Sequence, residues 1–332
     1  MGNRIFHFCT VLVLWTTLSA TALAETIVLD VPGPGSLSYL PVYLAKAIGA
    51  DQAEGLELKL RYVSGGPVAQ RDLMNNNCDF IASGLPAIAA ARADGQQIYA
   101  IGQLSQAAMY SFLLRTGLKD RVHNIAQLKG KRIGTATGTN SQRTMGQMMA
   151  EYLIGRAGIK SGEVQFISSG QNREAQGAAL KSGTVDALMG DEPFASELVA
   201  QGVAVRLADL YSPKKTSELF GGPIVHAALA TREDVYANHP ETVKKVQRMY
   251  DATLKWMSAH SAGELVDKLT GVSGFEAADR KQLIDILQRN QGMFPNQLAW
   301  DTKAVATTEL FFHSTAREPM ESNLPFNDFI RN

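Results

Sequence analysis

From Glu25 onward, short β-rich runs alternate with amphipathic stretches at helical spacing. That alternation predicts βαβ units and parallel sheets. Thr26 to Asp30 reads as a strand followed by the turn Pro32-Gly33-Pro34-Gly35, and Ser38 to Ile48 reads as a helix. Leu56 to Val63 is the next strand, Val68 to Asn75 a helix and Cys78 to Ala82 a short strand. The order then restarts: Arg132 to Ala136 as strand, Ser141 to Ala157 as helix, Val164 to Ser168 as strand, Glu174 to Ser182 as helix and Val185 to Met189 as strand. Beyond Thr231 the pattern is mainly helical. Pro240 stands at a first helical position, and Val243, Val246, Tyr250, Leu254 and Met257 form one apolar stripe.

The two β/α runs match each other at one offset. Leu73 and Leu180, Asp79 and Asp186, Pro86 and Pro193, and Gly95 and Gly202 are each 107 positions apart. They fall at the same places in the βαβ order, which predicts two similar lobes. Open parallel sheets hold ligands at the carboxyl ends of their strands, so two such faces turned toward each other enclose a cleft.

The first 24 residues differ in kind. Arg4 precedes a mostly apolar stretch, Ile5 to Leu18, and small residues then end in Ala22-Leu23-Ala24. This is the pattern of a secretory signal peptide cut before Glu25, and the apolar run is shorter than a membrane span requires. Cys9 lies within it, so Cys78 is the single cysteine of the exported chain and has no partner for an intrachain disulfide. Lysine plus arginine balance aspartate plus glutamate at 32 each. Without a basic excess, nucleic acid is not an expected partner.

Several segments carry a family resemblance: Tyr39-Leu40-Pro41, Asp79 to Ala90, Gly130-Lys131-Arg132-Ile133-Gly134, Thr137-Gly138-Thr139, Ser182 to Ala187, Glu192-Pro193-Phe194-Ala195, and Asn238 to Val243. In this order they resemble the nitrate/sulfonate/taurine-type solute-binding proteins of ABC importers, a group that includes thiamine-pyrimidine-precursor binding proteins. The resemblance implies an α/β, two-lobed periplasmic-binding-protein fold of the type II kind, with two crossover segments near Tyr110 to Thr116 and Pro223 to Ala228 and the ligand in the interlobe cleft. Lobe 1 is then 25–112 plus 226–332 and lobe 2 is 113–225. Many members of the group carry an aromatic residue just before the Glu-Pro pair, where this chain has Asp191.

Thr137, Gly138, Thr139 and Asn140 lie between a strand and a helix, where backbone N–H groups, hydroxyls and the positive helix end suit an anionic or strongly accepting group. The same residues also suit an ordinary helix cap. Ser83 and Gly84 occupy the equivalent loop of the first lobe, and Ser38 with Tyr39 follow its first strand. Asp191 and Glu192 follow the strand at Val185 to Met189 and suit an ammonium or N–H donor. An unpaired cleft carboxylate is costly, so a ligand donor is expected to complete Asp191. Met145, Met148 and Met149 are spaced as a helix stripe and read as core packing.

No histidine pair has the H-E-x-x-H spacing, no serine sits in G-x-S-x-G, and there is no Walker A loop. The same fold also serves biosynthetic enzymes, but the thiamine-pyrimidine synthases among them need a cysteine-rich motif that Cys78 alone does not supply. The expectation is therefore a non-catalytic, monomeric, periplasmic solute-binding subunit, with no cofactor and no metal. It is expected to deliver a small polar solute, an aminosulfonate or a nitrogen heterocycle, to a membrane permease. The alternatives are a ligand sensor docking on a membrane receptor and an enzyme on the same fold.

Overall fold

A computed structural model describes residues 24–332, apart from 137–142 and the single positions 161, 171, 211, 277 and 291. The expected leader thus lies outside the described residues, except for Ala24. Among the described residues, ten strands form two five-stranded sheets. The strands are β1 (Glu25–Pro32), β2 (Leu56–Val63), β3 (Phe80–Gly84), β4 (Ile98–Ser105), β5 (Tyr110–Arg115), β6 (Arg132–Thr135), β7 (Gln165–Ser168), β8 (Ala187–Asp191), β9 (Ala204–Asp209) and β10 (Ala227–Arg232). The first sheet has the order β2-β1-β3-β10-β4 and the second β7-β6-β8-β5-β9.

The sheets are mixed, which corrects the parallel expectation. β1 pairs parallel with β2 and β3, and β6 with β7 and β8, while β10 and β5 run antiparallel to both of their neighbours. The antiparallel strands are the ones through which the chain changes sheets. It leaves the first sheet at Ser105, enters the second at Tyr110, and returns from the Pro213–Phe220 helix to β10. Tyr110 to Thr116, read from the resemblance as a crossover, is almost all strand, and the crossing itself is 106–109.

The 107-residue offset has a structural cause. Asp79 precedes β3, accepts a hydrogen bond from the Val28 N–H (2.8 Å) and donates its own N–H to the Val28 carbonyl (2.9 Å). Asp186 precedes β8 and does the same with Arg132, at 3.0 and 2.8 Å. Each aspartate thus sets the register of a third strand against a first. Gly95 and Gly202 both close a helix with positive φ, +86° and +69°, where any other residue is strained.

The Pro240–Ala259 helix buries Val243, Val246, Tyr250, Leu254 and Met257 against the first sheet, as its stripe predicts. The Thr302–Ser314 helix lies between the Leu85–Ala93 helix of the first sheet and the Met145–Arg156 helix of the second. Behind it, buried Arg143 pairs with both oxygens of Glu321 at 2.8 Å, with Glu151 at 2.9 Å, and with the Thr315 carbonyl at 2.6 Å. Cys78 is buried, and burial raises its thiol. Among the described residues no helix is long and apolar enough to cross a membrane.

Candidate functional site

The last residues of five parallel strands, Pro32, Val63, Gly84, Thr135 and Asp191, all line one cavity of about 820 Å3. Both sheets thus direct their carboxyl edges into a shared space, as open α/β sheets do. Tyr110 enters from the start of β5, Tyr39 from the short helix after β1, and Met145 and Gly146 from the start of the Met145–Arg156 helix.

The two sides meet over this space. The Leu37 N–H donates to the Glu192 carbonyl at 3.0 Å. Within the first side, Gly35 and Gly274 touch backbone to backbone, both at positive φ, and a Cβ added to Gly35 would lie 3.2 Å from Arg173 Nη1 of the other side. A side chain at Gly35 therefore meets left-handed strain and a backbone that cannot rotate away. Gly35→Ala is expected to cost about 1–2 kcal/mol of stability. Denaturant unfolding checks this, and an unchanged midpoint would show that the loop yields freely.

Asp191 lines the cavity, but the protein itself completes it: Arg173 Nη2 lies 3.1 Å from Asp191 Oδ2. This corrects the expectation that a ligand donor must do so. Burial works against the Arg173 charge, while Asp191, Tyr43 and Glu197 support it, and the balance holds the guanidinium above its ordinary value. Glu192 does not line the cavity. Its carboxylate is fully buried, pairs with Arg206 at 2.9 Å and accepts the Ser196 N–H at 3.1 Å. Burial raises its carboxyl, against the pull of Ser196 and Arg206.

Of the other expected residues, Tyr39, Ser83 and Gly84 line the cavity, whereas Ser38 is buried outside its lining. Thr137, Gly138, Thr139 and Asn140 lie outside the described residues. Met148 and Met149 are core, as the stripe predicts, while Met145 also lines the cavity and packs against Gly84.

Sequence reasoning missed four contributors. Arg173 begins the Arg173–Ser182 helix, one residue before the expected start. Glu197 sits in the first turn of the Phe194–Ala200 helix and lines the cavity. Burial raises its carboxyl, Arg173 lowers it, and Asp191 and Glu192 raise it further. Tyr110, expected in a crossover, starts β5 and lines the cavity. His226, on the return crossing, is buried with ring centroids 6.5 Å from Tyr39 and 5.5 Å from Tyr110, and neither ring nitrogen has a hydrogen-bond partner among the described residues. Burial pushes its pKa down to about 4, opposed by Asp191, so the imidazole is neutral at pH 7.

Among the described residues, no group of three or more His, Cys, Asp or Glu side chains is placed to hold a metal ion.

Comparison with known proteins places this geometry in context. The model of a family described as NMT1/THI5 like matches residues 37–263. A Brucella abortus protein described as a binding protein is 25% identical over 238 residues, covering 70% of this chain and 67% of its own length. A Bordetella bronchiseptica structure superposes with a TM-score of 0.81 at 20% identity, covering 93% of this chain and 95% of that one. The alkanesulfonate-binding protein of Xanthomonas axonopodis pv. citri, solved bound to MOPS, superposes with a TM-score of 0.70 at 16% identity, covering 93% and 99%. The fold is the periplasmic-binding-protein fold.

Proposed function

We propose that this chain, which belongs to the NMT1/THI5-like family, is the periplasmic solute-binding subunit of an ABC importer, non-catalytic and acting as a monomer. The observation that carries this reading is the cavity itself, enclosed by the strand ends of two sheets that the chain connects twice. A solute touching both sides stabilises only the closed arrangement, so capture and closure are one event. The two lobes expected from the resemblance, divided near 112 and 226, then move about the crossings, with Tyr110 to Phe112 belonging to the second sheet and so to the second lobe. The closed form is what a membrane permease would receive.

Within the solute classes expected from sequence, the cavity favours a nitrogen heterocycle over a two-carbon aminosulfonate. A space of about 820 Å3 suits a ring-bearing molecule, and Tyr39 and Tyr110 offer aromatic surface to it. MOPS, which combines a ring, a protonatable nitrogen and a sulfonate, is a convenient model of this class. Native mass spectrometry of the protein freshly isolated from the periplasm is expected to show a non-covalent mass that denaturation releases. A chain that carries no solute, and retains none after incubation with a metabolite extract, would overturn the reading.

A further inference from the structure

The cavity lining is unbalanced in charge. Its described residues include five carboxylates, Asp191, Glu174, Glu197, Glu276 and Asp279, against the single cation Arg173. Residues 137–142 carry no charged side chain. Arg173 is already engaged by Asp191. The Glu197 side chain, by contrast, forms neither a hydrogen bond nor an ion pair with any described residue, though it is partly buried and lines the cavity. A carboxylate in such a place is stabilised by a cation or an N–H donor brought from outside.

The first-sheet wall has the opposite character. The nine-residue Gly66–Met74 helix opens onto the cavity with no side chain capping it. The N–H groups of Gly65 and Gly66 have no acceptor among the described residues. Ser83, fully buried, lies against this helix start: a Cβ on Gly66 would sit 2.5 Å from its Oγ, and that Oγ has no hydrogen-bond partner among the described residues. Unsatisfied donors at a positive helix end, with an idle buried hydroxyl beside them, suit an anionic or strongly accepting group.

We propose that the cavity is a dipolar site. Ser83 and the Gly65-Gly66 helix start receive the anionic or accepting end of the solute, and Glu197 receives a protonated nitrogen at the other end. This rests on the solute-binding reading above and adds to it the placement of the two ends. It also moves the cation-recognising role from Asp191, which Arg173 occupies, to Glu197.

Calorimetric titration with MOPS, propanesulfonate and N-propylmorpholine at about pH 6 separates the two ends, because the second and third compounds are the anionic and cationic halves of the first. MOPS is expected to bind at least tenfold more tightly than either half. Glu197→Gln should reduce MOPS to the affinity of propanesulfonate and leave propanesulfonate unchanged. Ser83→Ala should reduce MOPS to the affinity of N-propylmorpholine. Neither variant should melt lower when unliganded, since neither side chain has a partner to lose, and Ser83→Cys serves as a second variant of similar size. Propanesulfonate binding as tightly as MOPS, or MOPS affinity unchanged in the variants, would overturn the dipolar site. So would failure of all three compounds to bind at 10 mM to a chain that carries a solute by native mass spectrometry. A chain that carries no solute at all overturns the solute-binding reading instead.

Discussion

Arg206→Met is expected to lower folding stability by about 3–5 kcal/mol, the cost of leaving a buried charge without its partner. The Glu192 side chain is wholly buried, and among the described residues the Arg206 guanidinium, 2.9 Å from its Oε1, is the cation paired with it. Arg206 is itself about a quarter exposed, with a side-chain exposure of 24%, so its charge can still be solvated when Glu192 is neutral. Glu192→Gln should therefore cost only about 1 kcal/mol, close to a single ordinary hydrogen bond. The asymmetry is the informative part. Denaturant midpoints of the two variants check it, and equal losses would show that the pair acts as mutual packing. The consequence reaches the cavity, because the backbone of Glu192 receives Leu37 from the other side and follows directly on Asp191.

The second large effect is an acid-linked loss of stability at His226. Burial pushes its pKa down to about 4 in the folded protein, from an ordinary 6.5. The folded state thus binds this proton less tightly than the unfolded chain does. The stabilising contribution is fully present above about pH 6.5 and is lost progressively as pH falls toward 4. A shift of this size corresponds to about 3 kcal/mol. His226→Phe keeps a ring between Tyr39 and Tyr110 and removes the titration. Between pH 7 and pH 4.5 it should lose about 2–3 kcal/mol less than the parent. Parallel pH profiles for parent and variant would place the acid sensitivity elsewhere. Because the ring lies where Tyr39 from one side meets Tyr110 from the other, protonation there would disturb the seam between the sheets.

Much of the fold was legible in the sequence because it is local. The strand at Leu56 to Val63 has the expected bounds, and the helix at Glu174 to Ser182 differs by one residue. Both elements follow from periodicity and end signals within their own segments. The 107-residue offset pointed to Asp79 and Asp186 because each locks one strand start in the same way. The crossing strands β5 and β10 were not legible. Their antiparallel partners lie far away in sequence, and an alternating pattern read one segment at a time suggests only parallel neighbours.

The site was legible in outline and wrong in its pairing. Asp191 and Glu192 read as a pair in sequence, yet the strand ends at Asp191 and Glu192 opens the turn into the Phe194–Ala200 helix, so their side chains part. One therefore reaches the cavity while the other is buried against Arg206. Arg173 stands 18 positions before Asp191 and reaches it only because its helix starts at the cavity edge. Glu197 reaches the cavity because the Phe194–Ala200 helix, which follows Pro193, carries it in its first turn.

Solution scattering of the chain with and without the solute it carries tests the central claim most directly. Removing the solute by unfolding and refolding, then restoring it to saturation, should lower the radius of gyration as the two sides close over the cavity. An identical scattering profile with and without the solute at saturation would contradict capture by closure.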